Sequence, residues 1–112
     1  MTSKLSDFQE YVGVWNRATF PDSTITGHVN HIRQEIDELD AELKLLSINP
    51  ESDTKQVAEE SADVFILLLS LAHCFKFDLM IAAADKMRVL QKRQWHPADG
   101  NGIHHHITEI AQ

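Results

Sequence analysis

The sequence predicts an all-α protein, a four-helix bundle in one domain. Three observations carry this. Apolar residues recur three and four positions apart over long stretches, the period of an amphipathic helix. Only four Gly and three Pro interrupt 112 residues. Strand-like alternation of β-branched residues is scarce.

The first helix is expected from about Asp7 to Arg17, with Phe8, Tyr11, Val12 and Trp15 at helical spacing. Ser6, followed three residues later by Gln9, suits a capping box. A loop follows through Phe20, Pro21 and Asp22. The second helix is expected over about Ile25 to Ser47, with one apolar stripe through Ile25, Val29, Ile32, Ile36, Leu39, Leu43 and Leu46. Asn49-Pro50 ends it. The third runs from near Asp53, where Asp53 and Gln56 offer another capping box, to about Phe75. From Val64 onward it is apolar nearly all round, which predicts the central buried helix. Asp78 suits the cap of a fourth helix reaching about Gln94. Pro97, Gly100 and Gly102 then break regular structure, so 96–112 reads as a C-terminal tail with a short final segment, Ile103 to Ala111.

Composition narrows the function classes. Seventeen acidic against ten basic residues give a formal charge of −7, which argues against a nucleic-acid polymer as partner. A nucleotide stays open, because metal ions can carry its phosphates. The single cysteine, Cys74, admits no internal disulfide, suits a reducing compartment and is expected to pack as a small apolar group. The first ten residues lack the apolar run of a signal peptide, and Val64 to Leu71, interrupted by Ser70, is too short to span a bilayer. These features predict a cytoplasmic protein without a membrane partner. A domain this small buries a modest share of its surface, so a partner subunit would help it.

Carboxylates carry the chemistry. His31, Glu35, Glu38 and Glu42 stand four, three and four residues apart, on one stripe bordering the apolar one. An isolated pair of this kind is usually a solvated helix face. Glu59, Glu60 and Asp63 lie within about a turn of one another, and Asp63 directly precedes the apolar run. Acids early in a helix also answer its dipole, which explains Glu59 and Glu60 better than Asp63. A carboxylate at the mouth of a buried helix is costly unless paired or metal-bound, and clustered acids raise one another's pKa. Packing the second helix on the third would assemble a metal site from Glu35, Glu38, Glu60 and Asp63. Oxygen ligands of this kind suit Mg²⁺ or Mn²⁺. A di-iron carboxylate bundle would call for Glu-x-x-His motifs, and the sequence has none.

Such ions can bridge phosphate oxygens and activate a water. A carboxylate not fully used as ligand would take the water's proton, Glu38 first and Glu35 second. Lys86 and Arg93, seven apart on one face of the fourth helix, suit phosphates, although cations also favour a helix C-terminus. Trp15 serves as a stacking surface for a base or as a core or interface aromatic. Phe20 and Pro21 shape a base pocket or simply turn the chain. His31 orients Glu35 or a water, or is a plain surface histidine. The run His104-His105-His106 could hold adventitious transition metals and is given no part in the mechanism.

The string Trp15, Thr19-Phe20-Pro21, Gly27, His31, Glu35-x-x-Glu38 and Glu60-x-x-Asp63 resembles the MazG-like all-α nucleoside triphosphate pyrophosphohydrolases. With Lys86, Arg93-x-Trp95 and the histidine-bearing tail it is most similar to their phage dATP/dGTP diphosphohydrolase (MazZ) subgroup. The resemblance implies hydrolysis of dGTP or dATP by a metal-activated water to the monophosphate and pyrophosphate. It implies two or three Mg²⁺ or Mn²⁺ ions on the four carboxylates, and a homodimer or homotetramer with the site partly between subunits. It also maps a substrate-binding terminal histidine onto His106. In the wider family a Lys is followed four residues on by Asn; here Lys86 is followed by Leu90, which removes that polar contact. Two other readings remain: a pyrimidine dNTP (dCTP or dUTP) pyrophosphatase of the same fold, and a non-catalytic helical dimerisation module.

Overall fold

A computed structural model of the chain describes residues 4–108. Among the described residues there are four helices, α1 (Lys4–Thr19), α2 (Ile25–Ile48), α3 (Lys55–Cys74) and α4 (Leu79–Lys92). The chain divides into two compact units between Leu79 and Met80. The all-α class and the four helices are those expected.

In the first unit α3 is the central element, packed on both α1 and α2. Both pairings are antiparallel: His28 of α2 meets Leu67, and Gln9 near the start of α1 meets Phe77 beyond the end of α3. The core is small, with Val12, Leu67, Leu69 and Ala72 buried. Gly13 lies against the His73 ring so closely that a Cβ there would sit 1.9 Å from His73 Cγ.

α1 begins at Lys4, ahead of the expected start, and the Ser6–Gln9 capping box does not form. The Ser6 hydroxyl donates instead to the Asp78 carboxylate. Gln9 is buried; its amide donates to the Phe77 carbonyl at 2.7 Å and accepts from the Leu79 N–H at 3.0 Å. The chain corner after α3 would otherwise bury unpaired backbone groups, a cost that exceeds the value of a local cap.

α2 is capped by Thr24, whose hydroxyl accepts from the Gly27 N–H at 3.0 Å, and it ends at Asn49, ahead of Pro50. At the start of α3 the Asp53 carboxylate accepts from the Lys55 N–H at 2.8 Å rather than forming the expected box with Gln56. α3 closes in a Schellman motif: Phe77 N–H reaches the Ala72 carbonyl and Lys76 N–H the His73 carbonyl, with Lys76 in the left-handed region at φ 62°. Cys74, the last residue of α3, is exposed rather than packed.

The apolar stripe of α2 divides. His28, Ile32, Glu35, Leu39, Glu42 and Leu46 are half-buried on the side packed against α3, while Ile25, Val29, Ile36 and Leu43 stay exposed. One neighbouring helix covers only a narrow row, and the sequence stripe is wider than that row.

In the second unit α4 leads to a tail folded back on itself. An isolated bridge joins Trp95 to His106, and Ile107 N–H reaches the Gln94 carbonyl at 2.8 Å. The bend is held by Asp99, which accepts from the Ile103 and Asn101 amides and from His105. Those bonds, Ile103 first, keep its carboxyl below the usual range. Of the expected final segment, the described part is irregular, and 109–111 lie outside the described residues. No single described helix is long and apolar enough to cross a membrane.

Candidate active site

The antiparallel register of α2 on α3 sets Glu35 and Glu38 beside Glu60. One carboxylate oxygen from each lies within 4.8 Å of the others. Glu35 and Glu60 stand on the half-buried faces of their helices, and the Glu35 side chain is only 12% exposed. In each, Oε2 is buried and has no hydrogen-bond partner in the protein. A buried carboxylate oxygen in this condition is expensive, since it is shielded from solvent and no protein donor reaches it.

Electrostatics agree with that geometry. Burial raises the Glu35 carboxyl above its ordinary value, and Glu38 adds to this as hydrogen-bond partner and as like charge, with Asp63 behind it. The His31 ring opposes the shift through its 3.2 Å contact with Glu35 Oε1. Glu60 is raised by burial first, then by the charges of Glu38, Asp63 and Glu35. A hard divalent cation would replace the missing donors and remove the repulsion, so the donor set fits Mg²⁺ or Mn²⁺.

Asp63 differs from expectation. It was expected to be the carboxylate most in need of a cation, yet it is exposed, and the buried acid of α3 is Glu60. The row of α3 half-buried beside α2 runs through Val57, Glu60 and Val64, and Asp63 falls off its edge. Asp63 still acts on both buried acids through its charge.

Next to the carboxylates opens a cavity of about 410 Å³, lined by residues of all three helices. Glu35, His31 and Asp63 stand at one part of its wall; Trp15, Phe20, Ile66 and Leu67 make an apolar part. Trp15 and Phe20 meet edge to face, with ring centroids 5.7 Å apart. The turn after α1 positions Phe20: its N–H bonds the Asn16 carbonyl, and the Ser23 N–H and hydroxyl return to the Phe20 carbonyl. Trp15, Phe20 and His31, chosen from the sequence, thus share one cavity with Glu35 and Asp63. Lys86, Arg93 and His106 belong to the second unit, where Lys86 is exposed on α4, Arg93 is half-buried just beyond it and His106 meets Trp95 edge to face.

Sequence reasoning missed several cavity residues, among them His28, Asn16 and Ser70. His28 bonds the Leu67 carbonyl at 2.8 Å, the Asn16 carbonyl accepts from the Phe20 N–H, and Ser70 is buried with an unpartnered hydroxyl. The visible signal for Ser70 was its place as the one polar residue in the apolar run of α3.

No family model matches the sequence. A dATP/dGTP diphosphohydrolase of Salmonella phage PMBT28 is 32% identical over 108 residues, covering 96% of this chain and 33% of that protein. The chain therefore spans about a third of the length of this curated relative. A cyanophage S-2L MazG-like pyrophosphohydrolase, solved with dGDP and three catalytic Mn²⁺ ions per active site, is 29% identical and matches with a TM-score of 0.70 over 96% of this chain and 100% of that one. With its paired carboxylates on adjacent antiparallel helices and a likeness running nearly end to end, the chain resembles the MazG-like all-α pyrophosphohydrolases and shares their fold.

Proposed function

We propose that this chain hydrolyses purine deoxynucleoside triphosphates, dGTP and dATP, to the monophosphate and pyrophosphate. The observation that carries the reading is the pair of buried, unpartnered carboxylate oxygens on Glu35 and Glu60 beside an aromatic-walled cavity. Such a pair asks for cations, and the cavity is of the size that takes a small ligand. The names of the two relatives, one acting on dATP and dGTP and one binding dGDP with Mn²⁺, support the same chemistry.

Glu35, Glu38, Glu60 and Asp63 would hold two or three Mg²⁺ or Mn²⁺ ions. When bound, these ions supply charge neutralisation on the phosphates and acidify a water. Glu38 is the exposed member of the trio, so it can accept a proton from the attacking water and release it to solvent. Glu35, held by His31, is the second choice for that role. Trp15 and Phe20 offer an edge and a face to the base. Lys86, Arg93 and His106 contribute contacts to substrate, the two cations to its phosphates. Ile25, Val29, Ile36 and Leu43, exposed along α2, are the surface on which a homodimer or homotetramer forms. The protein works in the cytoplasm, the host's if phage-encoded.

Incubation with dGTP and Mg²⁺ or Mn²⁺ tests the reading. Release of dGMP and pyrophosphate is expected. Release of dGDP and orthophosphate would mean that a different bond is cut, and no turnover of any common ribo- or deoxyribonucleoside triphosphate would overturn the enzymatic reading.

A further inference from the structure

We propose that the Ser70 hydroxyl is the group that recognises the far edge of a purine base, and so selects purine over pyrimidine nucleotides. This rests on the reading of the cavity as a nucleotide site. Ser70 is 3% exposed, and its Oγ has no hydrogen-bond partner in the protein. It lines the main cavity and also a smaller one of about 160 Å³ behind Phe20. A buried hydroxyl left without a partner costs stability, and a hydrogen bond made to it by a ligand meets no further desolvation cost on the protein's side.

Its position on α3 specifies what reaches it. Asp63, Ile66, Leu67 and Ser70 all line the cavity. Ser70 stands seven residues beyond Asp63, two helical turns or about 10.5 Å along the axis. That is the scale of the span from a nucleotide's phosphate to the distal edge of a purine. A ligand whose phosphates lie at the carboxylates therefore lays its sugar and base along Ile66 and Leu67 and ends at Ser70. The walls there are Trp15 and Phe20, suited to a flat π-face, and Asn16, Ser23 and Thr24 are polar groups that line the cavity with Ser70. The shorter pyrimidine ring stops short of Ser70 and gains nothing from it. A serine hydroxyl can donate and accept at once, so both adenine and guanine have an edge it can meet.

Ser70→Ala keeps the small volume that lets α1 approach and removes only the hydroxyl. Two measurements are made on the full chain: affinity for dGMP and dCMP by Trp fluorescence or calorimetry, and kcat/KM on dGTP, dATP, dCTP and dUTP. The variant is expected to lose about 10- to 100-fold on the purines, with pyrimidine values within about twofold of wild type. Its melting temperature should not fall, because the hydroxyl has no internal partner to lose. Ser70→Cys, of similar size with a weaker donor, should be intermediate and serves if the alanine variant folds poorly. Equal losses on both base classes, no loss on either, or a lowered melting temperature with unchanged selectivity would each overturn the assignment. The two readings separate cleanly. Selective loss of dGMP affinity in a protein that cleaves nothing would uphold Ser70 and sink the hydrolytic reading. Turnover with unchanged base selectivity would do the reverse.

Discussion

Glu35 on α2 and Glu60 on α3 each bury a carboxylate oxygen that no protein group satisfies, and the two acids offer ligand atoms within 4.8 Å of each other across the helix pair. The metal-free protein therefore holds an internal electrostatic conflict at its most organised polar site. An unresolved conflict of this kind destabilises the fold, and a cation that resolves it binds to the folded state alone.

Glu60→Gln and Glu35→Gln should accordingly part activity from stability. Each is expected to lower metal-dependent turnover by at least about 10²-fold, because a ligand and a negative charge are lost together. Neither should lower the melting temperature measured in chelator, since buried like charge is removed. Mn²⁺ should raise the wild-type melting temperature and raise that of Glu60→Gln less. A variant with full activity would remove that residue from the metal set.

The pH dependence of the metal-free protein follows from the same pair. Both carboxyls hold their protons above the ordinary value of 4.5 in the folded chain. From pH 4.5 upward to those raised values the folded state thus binds more protons than the unfolded one. The stability these groups contribute is full below 4.5 and is lost as pH rises through their folded values. Urea midpoints in chelator should therefore fall as pH rises from 4.5 through the raised folded values, and the fall should shrink in Glu35→Gln. Asp99, with its carboxyl lowered by backbone bonds, works in the opposite sense and loses its contribution only in acid, as pH drops through its folded value. A slope unchanged by removal of Glu35 would refute the burial argument.

Gly13→Ala tests the packing of α1 on α3. The added methyl would meet the His73 ring at 1.9 Å, so the ring or the helix must move. A loss of about 1–3 kcal/mol is expected from overpacking, read as a lowered urea midpoint at constant slope. Unchanged stability would show that His73 swings aside freely despite its 3.4 Å contact with Glu10.

Ile36→Glu combined with Leu43→Glu tests the outer face of α2. Both residues are nearly half exposed in the single chain, at 48% and 46%, so folding of one subunit should tolerate the change. Light scattering should report an oligomer for the wild type and a smaller species for the double variant. Retention of the oligomer would move the interface elsewhere.

Much of this was legible in the residues themselves. The period of three and four residues specified four helices, and Asn49-Pro50 marked the end of α2 correctly. The Glu35/Glu38 and Glu60/Asp63 spacings put the two acids of each pair on one side of their helix. Helical geometry alone tells which side chains share a face, because the angle between residues i and i+3 or i+4 is local.

What local geometry leaves open is where a neighbouring helix crosses that face, and this the tertiary structure decided. It made Glu60 rather than Asp63 the buried acid of α3, divided the apolar stripe of α2 into a covered and an open row, and drew Gln9 from a local cap to the corner at Phe77 and Leu79. It also placed Ser70, unremarkable as one polar residue in an apolar run, at a cavity wall seven residues from Asp63. Burial depends on contact between helices distant in sequence, and a one-residue change in crossing register turns about 100° of helix face toward or away from the partner.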